Sequence, residues 1–141
     1  MKQISFEIKI ENQLTEIVKV INHFKTFSTD HALKEKLVNM ICIAFDELLN
    51  NTISYGYNDN DVHEITVNVL LRESDLMIRL TDDGYEYNPF QEQNPDTSSS
   101  ISEREIGGLG IHIVKSIMDS CNYERASNKN ITTLIKNKIN N

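Results

Sequence analysis

Glu47 and Asn51 are the two residues whose types and spacing most invite chemistry. They sit in Ile43-Ala44-Phe45-Asp46-Glu47-Leu48-Leu49-Asn50-Asn51-Thr52-Ile53-Ser54-Tyr55. On a helix turning about 100° per residue, Leu33, Leu37, Met40, Ile41, Ala44, Leu48 and Tyr55 gather on one side. Glu47 and Asn51 fall among them, while Asp46 and Asn50 fall on the far, solvated side. A carboxylate and a carboxamide facing inward need polar company, because burying an ionised carboxylate alone is costly. A cation carrying phosphates would supply it: the amide oxygen can ligate a hard ion, and the carboxylate can hold or activate a nearby nucleophile. A Glu–Asn hydrogen bond at the wetted edge of the helix is the alternative that the same spacing allows.

Two glycine segments offer further chemistry. Thr81-Asp82-Asp83-Gly84 follows an apolar strand. A carboxylate there can accept from a ligand amine, and the glycine lets a flat ring approach the backbone. An ordinary turn after a strand explains the same residues. Gly107-Gly108-Leu109-Gly110 precedes a helical pattern, as an anion site at a helix N-terminus would, and equally as a hinge would. Neither G-x-G-x-x-G after a strand nor the P-loop pattern is present. His23, His31, His63 and His112 lack metal-ligand spacing, and neither Cys42 nor Cys121 has an obvious histidine partner. Tyr85 and Tyr87 are placed either to flank a ligand or simply to pack.

The elements that must position these groups follow from hydrophobic periodicity. Residues 2–10 alternate as a half-buried strand, and Leu14, Ile17, Val18, Ile21 and Phe24 recur at helical spacing. Ser28-Thr29-Asp30 are good N-cap types, so a long helix is expected from about 30 to 55, with Gly56 ending it. Strands follow at Ile65–Leu71 and Leu76–Leu80, joined by a hairpin over Arg72-Glu73-Ser74-Asp75. Residues 84–106 hold both prolines and a serine run, which suits a functional loop over a site. A short helix after Gly110 and strands near 121–126 and 131–137 complete the chain. This order is not alternating βαβ. It predicts an α+β, two-layer sandwich with a mixed, mostly antiparallel sheet and helices on one face.

The 141 residues suit a single domain spanning 1–141, with 39% apolar and 25% charged residues and a net charge of −7. That charge argues against nucleic acid as the main ligand, since phosphate neutralisation needs clustered Lys and Arg. No apolar run approaches the roughly 20 residues of a membrane span, the start has no signal-peptide core, and two cysteines make no disulfide framework. A reduced, cytoplasmic protein is expected.

Taken in order, the three segments resemble a known family. Ala44-Phe45-Asp46-Glu47-Leu48-Leu49-Asn50-Asn51 is similar to the N-box of the GHKL (Bergerat-fold) ATPases. Asp82-Asp83-Gly84-Tyr85-Glu86-Tyr87-Asn88-Pro89-Phe90 is similar to their first glycine box, and Gly107 to Asp119 to their second. Tyr87-Asn88-Pro89 and the Gly107–Asp119 run resemble one branch, the stand-alone anti-sigma factor serine kinases of bacterial partner switching.

The resemblance implies ATP and Mg²⁺ as cofactors and assigns roles. Asn51 would ligate Mg²⁺, and Glu47 would activate the attacking hydroxyl or water. Asp82 would accept from the adenine amino group, with Gly84 letting the ring pack. Residues 84–106 would form an ATP lid. Gly107, Gly108, Leu109 and Gly110 would cradle phosphate, Arg104 would contact it, and Thr132 would support the adenine site. The chain departs from the family pattern at Thr52 and Tyr55. A phosphoacceptor histidine domain does not fit in the first 30 residues, so a histidine kinase is disfavoured. Two functions are implied. The first is a kinase that phosphorylates a serine or threonine on a small antagonist protein and sequesters a sigma factor or similar regulator, working as a homodimer without nucleic acid or membrane. The second is a nucleotide-dependent binding module with little phosphoryl transfer.

Overall fold

A computed structural model describes residues 3–91 and 110–137. The strands are β1 (Ile4–Glu11), β2 (Glu64–Leu71), β3 (Asp75–Asp82), β4 (Ser120–Ala126) and β5 (Lys129–Asn137). The helices are α1 (Ile17–Asp30), α2 (Glu35–Tyr55) and α3 (110–117). The strands form one sheet in the order β1-β2-β3-β5-β4, and every pairing between them is antiparallel. The expected mostly antiparallel sheet with helices on one face is therefore present.

Period-two patterning decides which face is covered. Ile65, Val67, Val69 and Leu71 on β2 are buried, as are Leu76, Ile78 and Leu80 on β3 and Leu134 on β5. They meet Leu37, Ile41, Ala44, Phe45, Leu48 and Leu49 of α2, Val20 and Phe24 of α1, and Ile111 and Val114 of α3 in one cluster. Phe24 crosses Phe45 edge-on at 5.5 Å between ring centres, joining the two long helices. Each such fully buried side chain contributes roughly 1.5–3 kcal/mol by leaving water. The same register continues inward at Asp82, Asn130 and Thr132, so the sheet carries polar groups toward the helices at this end.

Three local expectations need correction. Ser28-Thr29-Asp30 do not cap α2; they close α1. Ser28 Oγ donates to Phe24 O at 2.7 Å and Thr29 Oγ1 to Lys25 O at 3.1 Å, so both hydroxyls bond backward. Leu33 N then donates to Ser28 O and Ala32 N to Thr29 O, with Ala32 at φ 55, a left-handed helix end built on alanine. Second, the helical stripe before it starts later. Leu14–Glu16 form a 3₁₀ turn, and Leu14 and Val18 are exposed. Third, Tyr55 is 73% exposed instead of inward, because α2 ends there and the core lies under its earlier turns. Gly56 does end α2, but at φ −81, so close packing and not a left-handed turn calls for it.

Candidate functional site

A cleft of about 370 Å³ opens between the last turns of α2, the ends of β3 and β5, and residues 85–89. Leu48, Asn51, Asp82 and Thr132 line it, with Tyr55, Tyr85 and Tyr87 along its rim. Leu48 and Leu80 supply an apolar wall, and the polar groups converge from three elements. Among the sequence-predicted residues, the structure thus brings Asn51, Asp82 and Thr132 to one cavity.

Asp82 is the last residue of β3 and 8% exposed. Its Oδ1 accepts from Gly84 N at 2.9 Å and from Asn130 Nδ2 at 2.9 Å. Burial raises its carboxyl pKa, and these two donors oppose the rise. Its second oxygen has no partner among the described residues. Gly84 is needed on steric grounds: a Cβ there would lie 2.6 Å from Gly56 O and 3.1 Å from Asp82 Oδ1. Tyr85 N donates to Gly56 O at 3.0 Å, which stitches the end of α2 to the end of β3.

Glu47 and Asn51 are both half-buried, and their neighbours Asp46 and Asn50 are exposed, as the helical wheel requires. Asn51 faces the cleft, while Glu47 stands one turn nearer the start of α2. There its carboxylate occupies the space a Cβ on Gly110 would fill. Gly110 is buried at the first described position of α3, so the Glu47–Asn51 segment and the second glycine segment touch through this pair. Burial pushes the Glu47 carboxyl pKa up, and the charge of Asp46 adds to the rise. Among the described residues, no group of three or more His, Cys, Asp or Glu side chains is placed to hold a metal ion. The donor at hand for a hard cation is the Asn51 amide oxygen, which suits an ion that brings phosphate oxygens and waters with it.

Arg104, Gly107, Gly108 and Leu109 lie outside the described residues, as does most of the expected 84–106 lid. Its first residues, 84–91, are irregular and line the cleft at Tyr85, Glu86, Tyr87 and Pro89. Sequence reasoning missed Asn130, Tyr123, Arg125 and His63. Arg125 Nη1 donates to Gly84 O at 2.8 Å. His63 offers Nδ1 to Asp83 at 3.1 Å and Nε2 to Asp59 at 2.8 Å, with Tyr57 stacked on its ring at 4.3 Å. A strand register would have placed Asn130 beside Asp82, but no local pattern marks it. Among the described residues, no helix is long and apolar enough to cross a membrane.

The family model for the histidine kinase-like ATPase domain matches residues 10–136. The chain is 26% identical over 96 residues to the serine/threonine-protein kinase BtrW of Bordetella bronchiseptica, covering 67% of this chain and 66% of that protein. It is 31% identical over 81 residues to the serine-protein kinase RsbW of Listeria monocytogenes, covering 55% and 52%. It is 24% identical over 93 residues to the anti-sigma F factor of Oceanobacillus iheyensis, covering 66% and 64%. The matches thus span between about half and two thirds of those relatives' lengths. The fold is also shared with the histidine kinase AdeS of Acinetobacter baumannii, at a TM-score of 0.51 and 12% identity, covering 94% of this chain and 68% of that one.

Proposed function

The chain belongs to the histidine kinase-like ATPase family, and from that premise we propose that it is an ATP-binding protein kinase of the partner-switching kind. It would transfer the γ-phosphoryl group to a serine or threonine of a small antagonist protein, and in the unphosphorylated state of that antagonist it would release a sigma factor or similar regulator. The observation that carries this reading is one set of groups: Asp82, Thr132 and Asn51 lining one cleft, and Glu47 one helical turn from Asn51, against Gly110.

Each side chain has a task that its surroundings support. Asp82 accepts from the adenine amino group through the oxygen left over by Gly84 and Asn130. Leu48 and Leu80 give the ring an apolar wall, and Thr132 completes the polar end. Asn51 offers its amide oxygen to Mg²⁺, which when bound supplies charge neutralisation along the phosphates. Glu47 takes the proton of the attacking hydroxyl; its partial burial strengthens it as a base relative to an exposed glutamate. Gly107, Gly108, Leu109, Gly110 and Arg104 take the phosphate contacts that the resemblance implies for them. The relatives named as serine kinases and as an anti-sigma factor support both the transfer and the sequestration. The single-domain organisation, the homodimer and the cytoplasmic setting belong to this same proposal.

Radiolabelled ATP with Mg²⁺ and a candidate antagonist protein tests the reading. Stoichiometric label on an antagonist serine or threonine is expected. Saturable nucleotide binding with no label on any such partner would instead assign the chain to nucleotide-dependent binding without transfer.

A further inference from the structure

Asn130 is 5% exposed and, among the described residues, carries more of the site's hydrogen bonds than any residue named from the sequence. Its Nδ2 donates to Asp82 Oδ1 at 2.9 Å, to Tyr85 O at 2.7 Å and, at 3.4 Å, to Gly84 O. Its Oδ1 accepts from Tyr123 Oη at 2.5 Å and from Tyr87 N at 3.3 Å. Turning the amide over would set its oxygen against three acceptors, so the orientation is forced. The register makes this possible: Asn130 is the cross-strand partner of Asp82 on one side and of Arg125 on the other. One amide therefore bonds to the carboxylate of β3, the phenol of β4 and the backbone of residues 84–87.

We propose that Asn130 is a specificity-determining positioning residue for 6-aminopurine nucleotides, acting through Asp82 and through the backbone of Gly84, Tyr85 and Tyr87. This rests on the nucleotide-binding reading above and deepens it. Asn130 lines the cleft, but its amide is already engaged by protein partners on both its nitrogen and its oxygen, so it acts through them. By occupying Oδ1, together with Gly84 N, it leaves the second oxygen of Asp82 as the acceptor that faces the cleft. A purine that offers an N–H there is matched, and one that offers a carbonyl oxygen meets a like group. The same amide holds residues 84–87, whose side chains Tyr85 and Tyr87 line the cleft. Purine recognition and the seating of that backbone are thereby one structural unit.

The test compares Mg²⁺ complexes of ATP, of inosine triphosphate (a 6-oxo purine) and of purine riboside triphosphate (no 6-substituent) by calorimetry. Wild type, Asn130→Ala, Asn130→Asp and the exposed control Asn122→Ala are measured alongside their thermal midpoints. Wild type and the control are expected to prefer ATP. In Asn130→Ala the preference over the other two purines should shrink about tenfold, since a carboxylate held by Gly84 N alone no longer presents its second oxygen in one fixed place.

Asn130→Asp keeps the shape and replaces the donor by a second carboxylate. Charged or titratable groups around this spot are Asp82 and Asp83 at the end of β3, Arg125 and Tyr123 on β4, and Tyr57 before β2. Two adjacent carboxylates raise each other's pKa, so one proton taken up at acid pH would restore a donor to Asp82. ATP binding by this variant should be weakest near pH 8 and recover toward pH about 6, a trend absent from wild type. If Asn130→Ala fails to fold, that pH trend decides. Equal weakening of all three nucleotides with the preference intact, or Asn130→Asp binding without the pH trend, overturns the proposal. Wild type binding none of the three overturns it together with the nucleotide reading, whereas wild type preferring ATP while the variants keep that preference overturns this inference alone.

Discussion

The two ends of the cleft are built by different means. At the Asp82 end, four segments converge: β3, β4, β5 and residues 84–87 are joined by hydrogen bonds through Asn130, Arg125 and Gly84. Asp82 and Asn130 are buried there and hydrogen-bonded to each other, so their positions are set by sheet register. At the Glu47 end, one carboxylate on one helix face rests against one glycine. It is half-buried, and its pKa is raised by desolvation. The contrast fits the roles proposed above: a rigid, hydrogen-bonded end for recognising a ring, and a less constrained end for moving a proton.

The sharpest way to separate the two ends is to remove Glu47. Glu47→Ala should lower phosphoryl transfer by about 10²–10⁴-fold, the usual share of a general base, with nucleotide affinity little changed. Rapid-quench transfer assays beside calorimetry check both parts. A parallel loss of affinity would mean that the two ends are not separable.

Gly110→Ala reaches the same carboxylate from the other side. The new methyl group would occupy the place of the Glu47 carboxylate and displace it. Misplacement on the scale of an ångström can cost about 10²-fold in rate. Adding Glu47→Asp, which shortens the side chain by one methylene, should recover part of the transfer rate lost to Gly110→Ala. If the double variant is no better than Gly110→Ala alone, the steric link between the two residues is not what sets the rate.

Much of this was legible before any coordinates. The helical wheel separated Glu47 and Asn51 from Asp46 and Asn50, because a long helix with buried Leu37, Ile41, Ala44 and Leu48 leaves little freedom in its register. The strands were legible because β2 and β3 alternate cleanly. The end of α1 was not. Its left-handed closing residue is Ala32, where glycine would have announced the stop, and Ser28 and Thr29 look the same whether they cap a helix ahead or bond to carbonyls behind. Asn130 was invisible for another reason: its importance arises from pairing with Asp82 across 48 positions, which no local spacing encodes.

Gly84→Ala tests the rigid end by packing. Its Cβ would press on Gly56 O and Asp82 Oδ1. Overpacking of this kind typically costs about 1–3 kcal/mol of stability, readable in a denaturant titration, and should also weaken ATP binding. A Gly84→Ala variant with wild-type stability would show that the approach of α2 to β3 is looser than described.

The smallest effect is expected beyond the rigid end, at His63. Both ring nitrogens face carboxylates, first Asp59 and then Asp83, and these bonds raise the imidazole pKa above its ordinary value near 6.5. A group whose pKa is raised on folding stabilises the fold fully below its unfolded pKa and loses that contribution as pH rises through the folded value. Wild-type thermal stability should therefore carry a small component that fades on that rise, and His63→Ala should lack it. Identical pH dependence in the two proteins would remove the His63 bridge from the description.

Calorimetric titration of Mg·ATP into wild type and Asp82→Asn decides the matter most directly. Because Gly84 N and Asn130 Nδ2 both need an acceptor, the asparagine must turn its oxygen toward them and its NH₂ toward the cleft, where it would oppose the adenine amino group. Saturable heat from wild type and a loss of affinity of at least about tenfold in Asp82→Asn are expected. No heat from wild type, or equal affinity in both proteins, would contradict the assignment of this cleft to an adenine nucleotide.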